Sequence, residues 1–168
     1  MDRWIVIEGT PFPFGASWVE SGKAYNFSLY SKSATRVILL LYSENDPVQP
    51  LHRFPLDHLR NKTGRIWHCR IPAAEIKGVA YYAYSIDGPF DPAEGQRFDK
   101  TKVLMDPYAK AIGGRDVWGE KPDWNNMYQH RARVCFDDFD WENDHPLETP
   151  VEDLVNAAAF YAHYAWTA

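Results

Sequence analysis

The densest set of groups able to do chemistry is the acidic run Asp137, Asp138 and Asp140 with Glu142 and Asp144, set around Phe139 and Trp141. Carboxylates next to aromatic side chains are the materials of a sugar-cleaving site. Glycoside hydrolysis places two carboxyl groups about 5 Å apart for retention and about 6.5–9.5 Å apart for inversion. Closeness in sequence does not supply that facing geometry, and a solvated acidic loop is the preferred reading of the run. The six histidines, at 52, 58, 68, 130, 145 and 163, show no zinc-type pairing, and Cys69 and Cys135 stand far apart. The sequence therefore implies no metal and no cofactor. Gly113-Gly114 is followed by no Gly-Lys-Ser/Thr and is not a phosphate loop. Asn61-Lys62-Thr63 is a glycosylation tripeptide that a cytoplasmic protein would not use.

The elements that would position any site are strands. Tyr25, Phe27 and Leu29 alternate with Asn26, Ser28 and Tyr30, which predicts a half-buried strand. Arg36 to Tyr42 is apolar on both faces and reads as central in its sheet. Leu51 to Leu56 is a short strand confined to an edge by Pro55. Ile66 to Ile71 turns Trp67, Cys69 and Ile71 inward, so Cys69 reads as a reduced core thiol. Tyr82, Tyr84 and Ile86 alternate in a further strand, which Asp87-Gly88-Pro89 stops. Asp91-Pro92 and Glu94-Gly95 then add turn signals, predicting a rigid loop that holds Phe90, Arg97 and Phe98. Residues 8 to 18, rich in Pro and Gly, should lie extended against the domain. Strands separated by turns, with no strong amphipathic helix, predict an all-β antiparallel sandwich of immunoglobulin-like type. One or two helical turns are expected around Asp106-Pro107, within residues 100 to 112.

At Tyr82 to Pro92, Gly95 to Phe98 and Leu104 to Ala109 the sequence resembles a family signature: Tyr-Gly-Tyr-Arg-Val-Asp-Gly-Pro-Tyr-Asp-Pro, Gly-x-Arg-Phe-Asn and Leu-Leu-Asp-Pro-Tyr-Ala. That signature belongs to bacterial isoamylase-type glycogen debranching enzymes of glycoside hydrolase family 13. It lies in their N-terminal carbohydrate-binding module of family 48. Five further blocks agree in order: Gly9 to Ala16, Asn26 to Ser31, Ala34 to Val37, Gly64 to His68 and Trp141 to Asp144. Ala83 and Ser85 depart from the usual Gly and Arg. The likeness covers about residues 7 to 155.

The resemblance implies an N-terminal module of an α-1,6-debranching enzyme acting in glycogen and α-glucan metabolism. The family's catalytic acids lie in a (β/α)8 barrel whose motifs come after residue 155, so no catalytic residue is expected in this chain. It also implies two kinds of contact. Starch-binding relatives hold glucan with two tryptophans plus Lys and Asn. Here Phe90 falls near one of those positions, while Ser43-Glu44-Asn45 occupies the other without a Trp. Asp87, Phe90 and Arg97 are thus the candidate glucan contacts. Phe12, Phe14, Asp106, Tyr108 and Trp141 are the candidate face toward a catalytic barrel. For Arg97 and Asp106 a structural role, in an ion pair and in capping a turn, competes and is preferred. The alternatives to a hydrolase module are a free-standing α-glucan (glycogen or maltodextrin) binder and a protein-docking domain.

The organisation expected is a sandwich over 8–112, an extension over 113–155 and a divergent tail over 156–168. The net charge of −5, with Lys and Arg scattered, argues against nucleic acid and anionic membrane surfaces. No apolar run approaches a membrane span, and the N-terminus reads as no signal peptide, so the cytoplasm is expected.

Overall fold

The computed structural model describes residues 8–46, 48–113 and 130–135. They belong to one unit, which ends at Phe136. Among the described residues ten strands are present: β1 (Gly15–Val19), β2 (Ala24–Tyr30), β3 (Arg36–Ser43), β4 (His52–Pro55), β5 (Lys62–Thr63), β6 (Ile66–Pro72), β7 (Val79–Asp87), β8 (Phe90–Asp91), β9 (Gln96–Arg97) and β10 (Ala132–Arg133). They form a four-stranded sheet ordered β1-β2-β6-β5, a second ordered β10-β7-β3-β4, and a β8-β9 hairpin. The fold is an all-β, immunoglobulin-like antiparallel sandwich, as the alternation of the sequence predicts.

The core follows from that alternation. Phe27 and Leu29 of β2 and Trp67, Cys69 and Ile71 of β6 face Val37, Leu39 and Leu41 of β3 and Tyr82, Tyr84 and Ile86 of β7. The Phe27 and Tyr82 rings meet edge to face, 5.3 Å apart, a favoured aromatic arrangement. Burial pushes the Cys69 thiol up to about 12, as expected where a thiolate would lose its water. β3 is interior and β4 is an edge strand, matching the reading of both segments.

The second face of each sheet is also covered. Leu40, Tyr42 and Ala83 make a small apolar cluster with Val103 on the outside of the second sheet. On the first sheet the cover is polar and comes from the N-terminal entry. Asn26 accepts from Thr10 N at 2.7 Å and donates to Thr10 O at 2.9 Å. Ser28 Oγ donates to Pro11 O at 2.6 Å. His68 joins the Glu8 carbonyl to the Thr63 hydroxyl. These bonds satisfy buried side chains that could not otherwise leave water cheaply. Gly9 makes the close approach: at φ 75°, a Cβ there would lie 2.7 Å from the Cys69 carbonyl carbon.

Two expectations are corrected. Around Asp106-Pro107 there is a single turn and no helix. Leu104 instead bridges to Tyr84 in the sheet, and β-type pairing takes the backbone groups a helix would have used. The second sheet also takes its edge strand, β10, from beyond residue 112, so the sandwich draws on a segment expected to be irregular extension. Most of that extension, the 156–168 tail and the acidic run lie outside the described residues.

Candidate functional site

The loop after β7 is built as a rigid hairpin. Asp87 Oδ1 accepts from Gly88 N at 3.0 Å, and the Asp87 carbonyl receives Thr35 N at 2.9 Å. Gly88 lies under the Phe98 ring, and a Cβ at 88 would come within 2.7 Å of it. Asp91 caps the short 3-10 turn Pro92–Glu94 through Ala93 N and Glu94 N. Gly95 then takes a left-handed conformation at φ 74°, which glycine adopts freely. The chain returns so that Phe90 pairs with Arg97 and Asp91 with Gln96.

This construction separates three side chains that the sequence groups. Phe98 is half-buried against the core. Phe90 is 71% exposed and stands beside Arg97, its cross-strand neighbour. Arg97 is exposed as well, and among the described residues no carboxylate pairs with it. It lines a largely apolar cleft of about 240 Å³ together with Ile86, Phe98, Asp99, Lys102 and Leu104. An aromatic face, an unengaged guanidinium and an adjoining apolar floor can receive the C–H face and hydroxyls of a sugar. Asp87 lies on another side, spent on the turn.

Ser43-Glu44-Asn45 does not join this site. Ser43 pairs with Val79 at the start of β7, whereas Arg36 pairs with Asp87 at its end. The two positions are therefore some seven residues apart along the sheet, about 23 Å at the usual strand rise. Glu44 instead accepts from Tyr81 Oη at 3.0 Å and meets Arg133 at 3.3 Å.

Of the candidate docking residues, Phe12, Phe14 and Tyr108 lie together. The Phe12 and Phe14 rings lie 4.9 Å apart, and Phe14 and Tyr108 4.7 Å apart. Phe12 is 60% exposed and Tyr108 50%, so the three rings form one aromatic patch open to solvent. Asp106 belongs to its foundation, since it is only 1% exposed. Its Oδ1 accepts from Tyr108 N at 2.8 Å and its Oδ2 from the buried Tyr82 hydroxyl at 3.0 Å. Burial raises the Asp106 carboxyl above the usual range, while these two hydrogen bonds pull it down. Burial and the adjacent carboxylate push the Tyr82 hydroxyl far up, so it stays a donor. Gly15 completes the foundation: a Cβ there would lie 2.6 Å from the Tyr108 carbonyl oxygen. Trp141 lies outside the described residues. The joint role of Gly15 and Asp106 was not read from the sequence, although a glycine opening a strand and an Asp-Pro turn were both visible there.

Among the described residues no group of three or more His, Cys, Asp or Glu is placed to hold a metal ion. No described helix is long and apolar enough to cross a membrane.

Comparison with known proteins agrees with this architecture. The chain is 38% identical to "Isoamylase 1, chloroplastic" of Arabidopsis thaliana over 159 residues, which are 92% of this chain and 20% of that protein. It is 39% identical to "Isoamylase 3, chloroplastic" of Oryza sativa subsp. japonica over 166 residues, 92% of this chain and 21% of that one. The chain thus spans about one fifth of the length of these relatives, which are plant proteins. Among solved structures, the Group B Streptococcus pullulanase SAP shares the fold, with a TM-score of 0.52 at 20% identity over 77% of this chain and 15% of that one. Residues 13–109 match the model of carbohydrate-binding module 48, the isoamylase N-terminal domain, and the chain belongs to that family.

Proposed function

We propose that this chain is the non-catalytic N-terminal module of an isoamylase-type α-glucan debranching enzyme, and that the Phe12–Phe14–Tyr108 patch is its face toward the catalytic domain. The observation that carries this reading is the patch itself. Tilted aromatic rings in contact are kept half-exposed by a foundation of Gly15, Asp106 and Tyr82. Aromatic side chains are enriched where proteins meet, and an ordered exposed patch is a mark of such a surface. The relatives' greater length supports a further domain for it to meet. The test is titration of this chain into Arabidopsis isoamylase 1 lacking the fifth of its length that matches this chain. A saturable association is expected, and Phe12→Ser with Tyr108→Ser should weaken it about tenfold or more, as loss of central aromatic contacts does. Absence of association, or indifference to the double substitution, overturns the reading.

A second contact is favoured by the exposed Phe90 beside Arg97. On this reading the β8–β9 hairpin touches an α-glucan chain, weakly because it offers a single ring. Titration with maltoheptaose should shift the amides of Gly88, Phe90 and Arg97, and Phe90→Ala should abolish the shift. A response equal in Phe90→Ala would count against it. The buried thiol and the half-buried Cys135 fit a reducing compartment. The cytoplasm is the reading from the sequence, whereas the relatives' names read chloroplastic.

A further inference from the structure

One stretch of the outer face of the second sheet gathers cations. Arg36 pairs with Asp87, Ile38 with Ser85 and Pro55, and Leu40 with Arg53. These alternate positions share one face. The half of that face near Tyr42 is covered by its apolar cluster. The other half opens as a cleft of about 150 Å³ lined by Arg36, Ile38, Arg53, Ser85, Asp87 and Lys100. Ser85 Oγ donates to Lys100 O at 2.9 Å, which fixes the Lys100 backbone at the rim.

The charge of this cleft is unbalanced. Arg36, Arg53 and Lys100 are exposed, and among the described residues none of their charged groups enters a hydrogen bond or ion pair. The single carboxylate, Asp87, already accepts from Gly88 N. Three cations thus share the cleft with one carboxylate, on a chain whose net charge is −5. Two guanidinium forks and an ammonium suit an anion with several acceptor oxygens. A phosphate monoester presents three such oxygens and close to two charges. At about 150 Å³ the cleft has room for one small charged group. Ile38 on the floor offers an apolar surface to the carbon next to that group.

We propose that this cleft binds a phosphate monoester carried on a sugar. The sugar half rests on the carbohydrate reading above. The phosphate half does not, and Phe90 lines no part of the cleft.

The test is an NMR titration of the whole chain with glucose 6-phosphate, with inorganic phosphate and with glucose, each separately. Glucose 6-phosphate should shift the Ile38, Ser85 and Lys100 amides saturably at millimolar concentration and bind more tightly than inorganic phosphate. Glucose should leave these amides unmoved. Arg36→Gln with Arg53→Gln should weaken binding about tenfold or more, as loss of charge-assisted contacts does. Lys77→Gln, the same kind of charge removal away from the cleft, should change nothing. Arg53→Gln alone, on an edge strand, supplies a folded variant if the pair is destabilised, and it should weaken binding measurably. Equal affinity for the two phosphates overturns the sugar half. Failure to saturate with either phosphate, or an equal loss in Lys77→Gln, overturns the proposal.

Discussion

Asp106 shows how one residue serves structure and surface together. Its carboxylate accepts from Tyr108 N and the Tyr82 hydroxyl from a position almost out of water. Asp106→Ala leaves both donors unpaired, and a loss of about 1–3 kcal/mol in urea unfolding is expected. Asp106→Asn keeps an acceptor and should be milder. It should also change the pH profile. Burial raises this carboxyl on folding, so the unfolded chain releases the proton first as pH climbs. The group therefore adds most to stability below its ordinary value, and the contribution is lost as pH rises through the raised one. Asp106→Asn should remove that decline, measured as unfolding free energy against pH; an unchanged decline would contradict the assignment. Cys69 gives a second check at this scale. A fully buried thiol pushed up to about 12 is a poor nucleophile. Mass-located alkylation at neutral pH should mark Cys69 only after unfolding. Both residues could be placed from sequence in part: Cys69 by strand alternation, Asp106 by its turn. The Tyr82 partner of Asp106 could not be, because it lies 24 residues away and depends on the fold.

At the scale of elements, the strands with strict alternation were legible. β2, β6 and β7 bury one apolar face, and period two follows directly from the pleat. Short pieces were not legible. β5, β8, β9 and β10 have two residues each, too few to carry a period. β1 was hidden by its Pro- and Gly-rich approach. Residues 100–112 favoured a turn of helix locally, but the pairing of Leu104 with Tyr84 prevails, a case of tertiary pairing overriding local preference. The N-terminal entry is the element most open to test. Asn26→Ala removes two hydrogen bonds to Thr10, for an expected loss of about 1–3 kcal/mol. Amide exchange at Thr10, whose N–H is held by Asn26 Oδ1, should speed up in this variant; unchanged exchange there would contradict the assignment.

At the scale of the whole molecule, the described residues present aromatic rings to solvent in separate places. The Phe12–Phe14–Tyr108 patch rests on Gly15 and Asp106, while Phe90 projects from a hairpin pinned by Gly88 and Phe98. The sequence named the members of both, since each falls in a recognisable block. It could not show that Phe12, Phe14 and Tyr108 form one surface, or that Ser43-Glu44-Asn45 stands far from Phe90. Those relations are set by ring packing and strand register. The measurement that tests the central claim most directly is hydroxyl-radical footprinting of this module, alone and in complex with the catalytic domain of a relative. Phe12, Phe14 and Tyr108 should become protected in the complex while Phe90 stays as reactive as before. A patch equally reactive in both states would contradict the account.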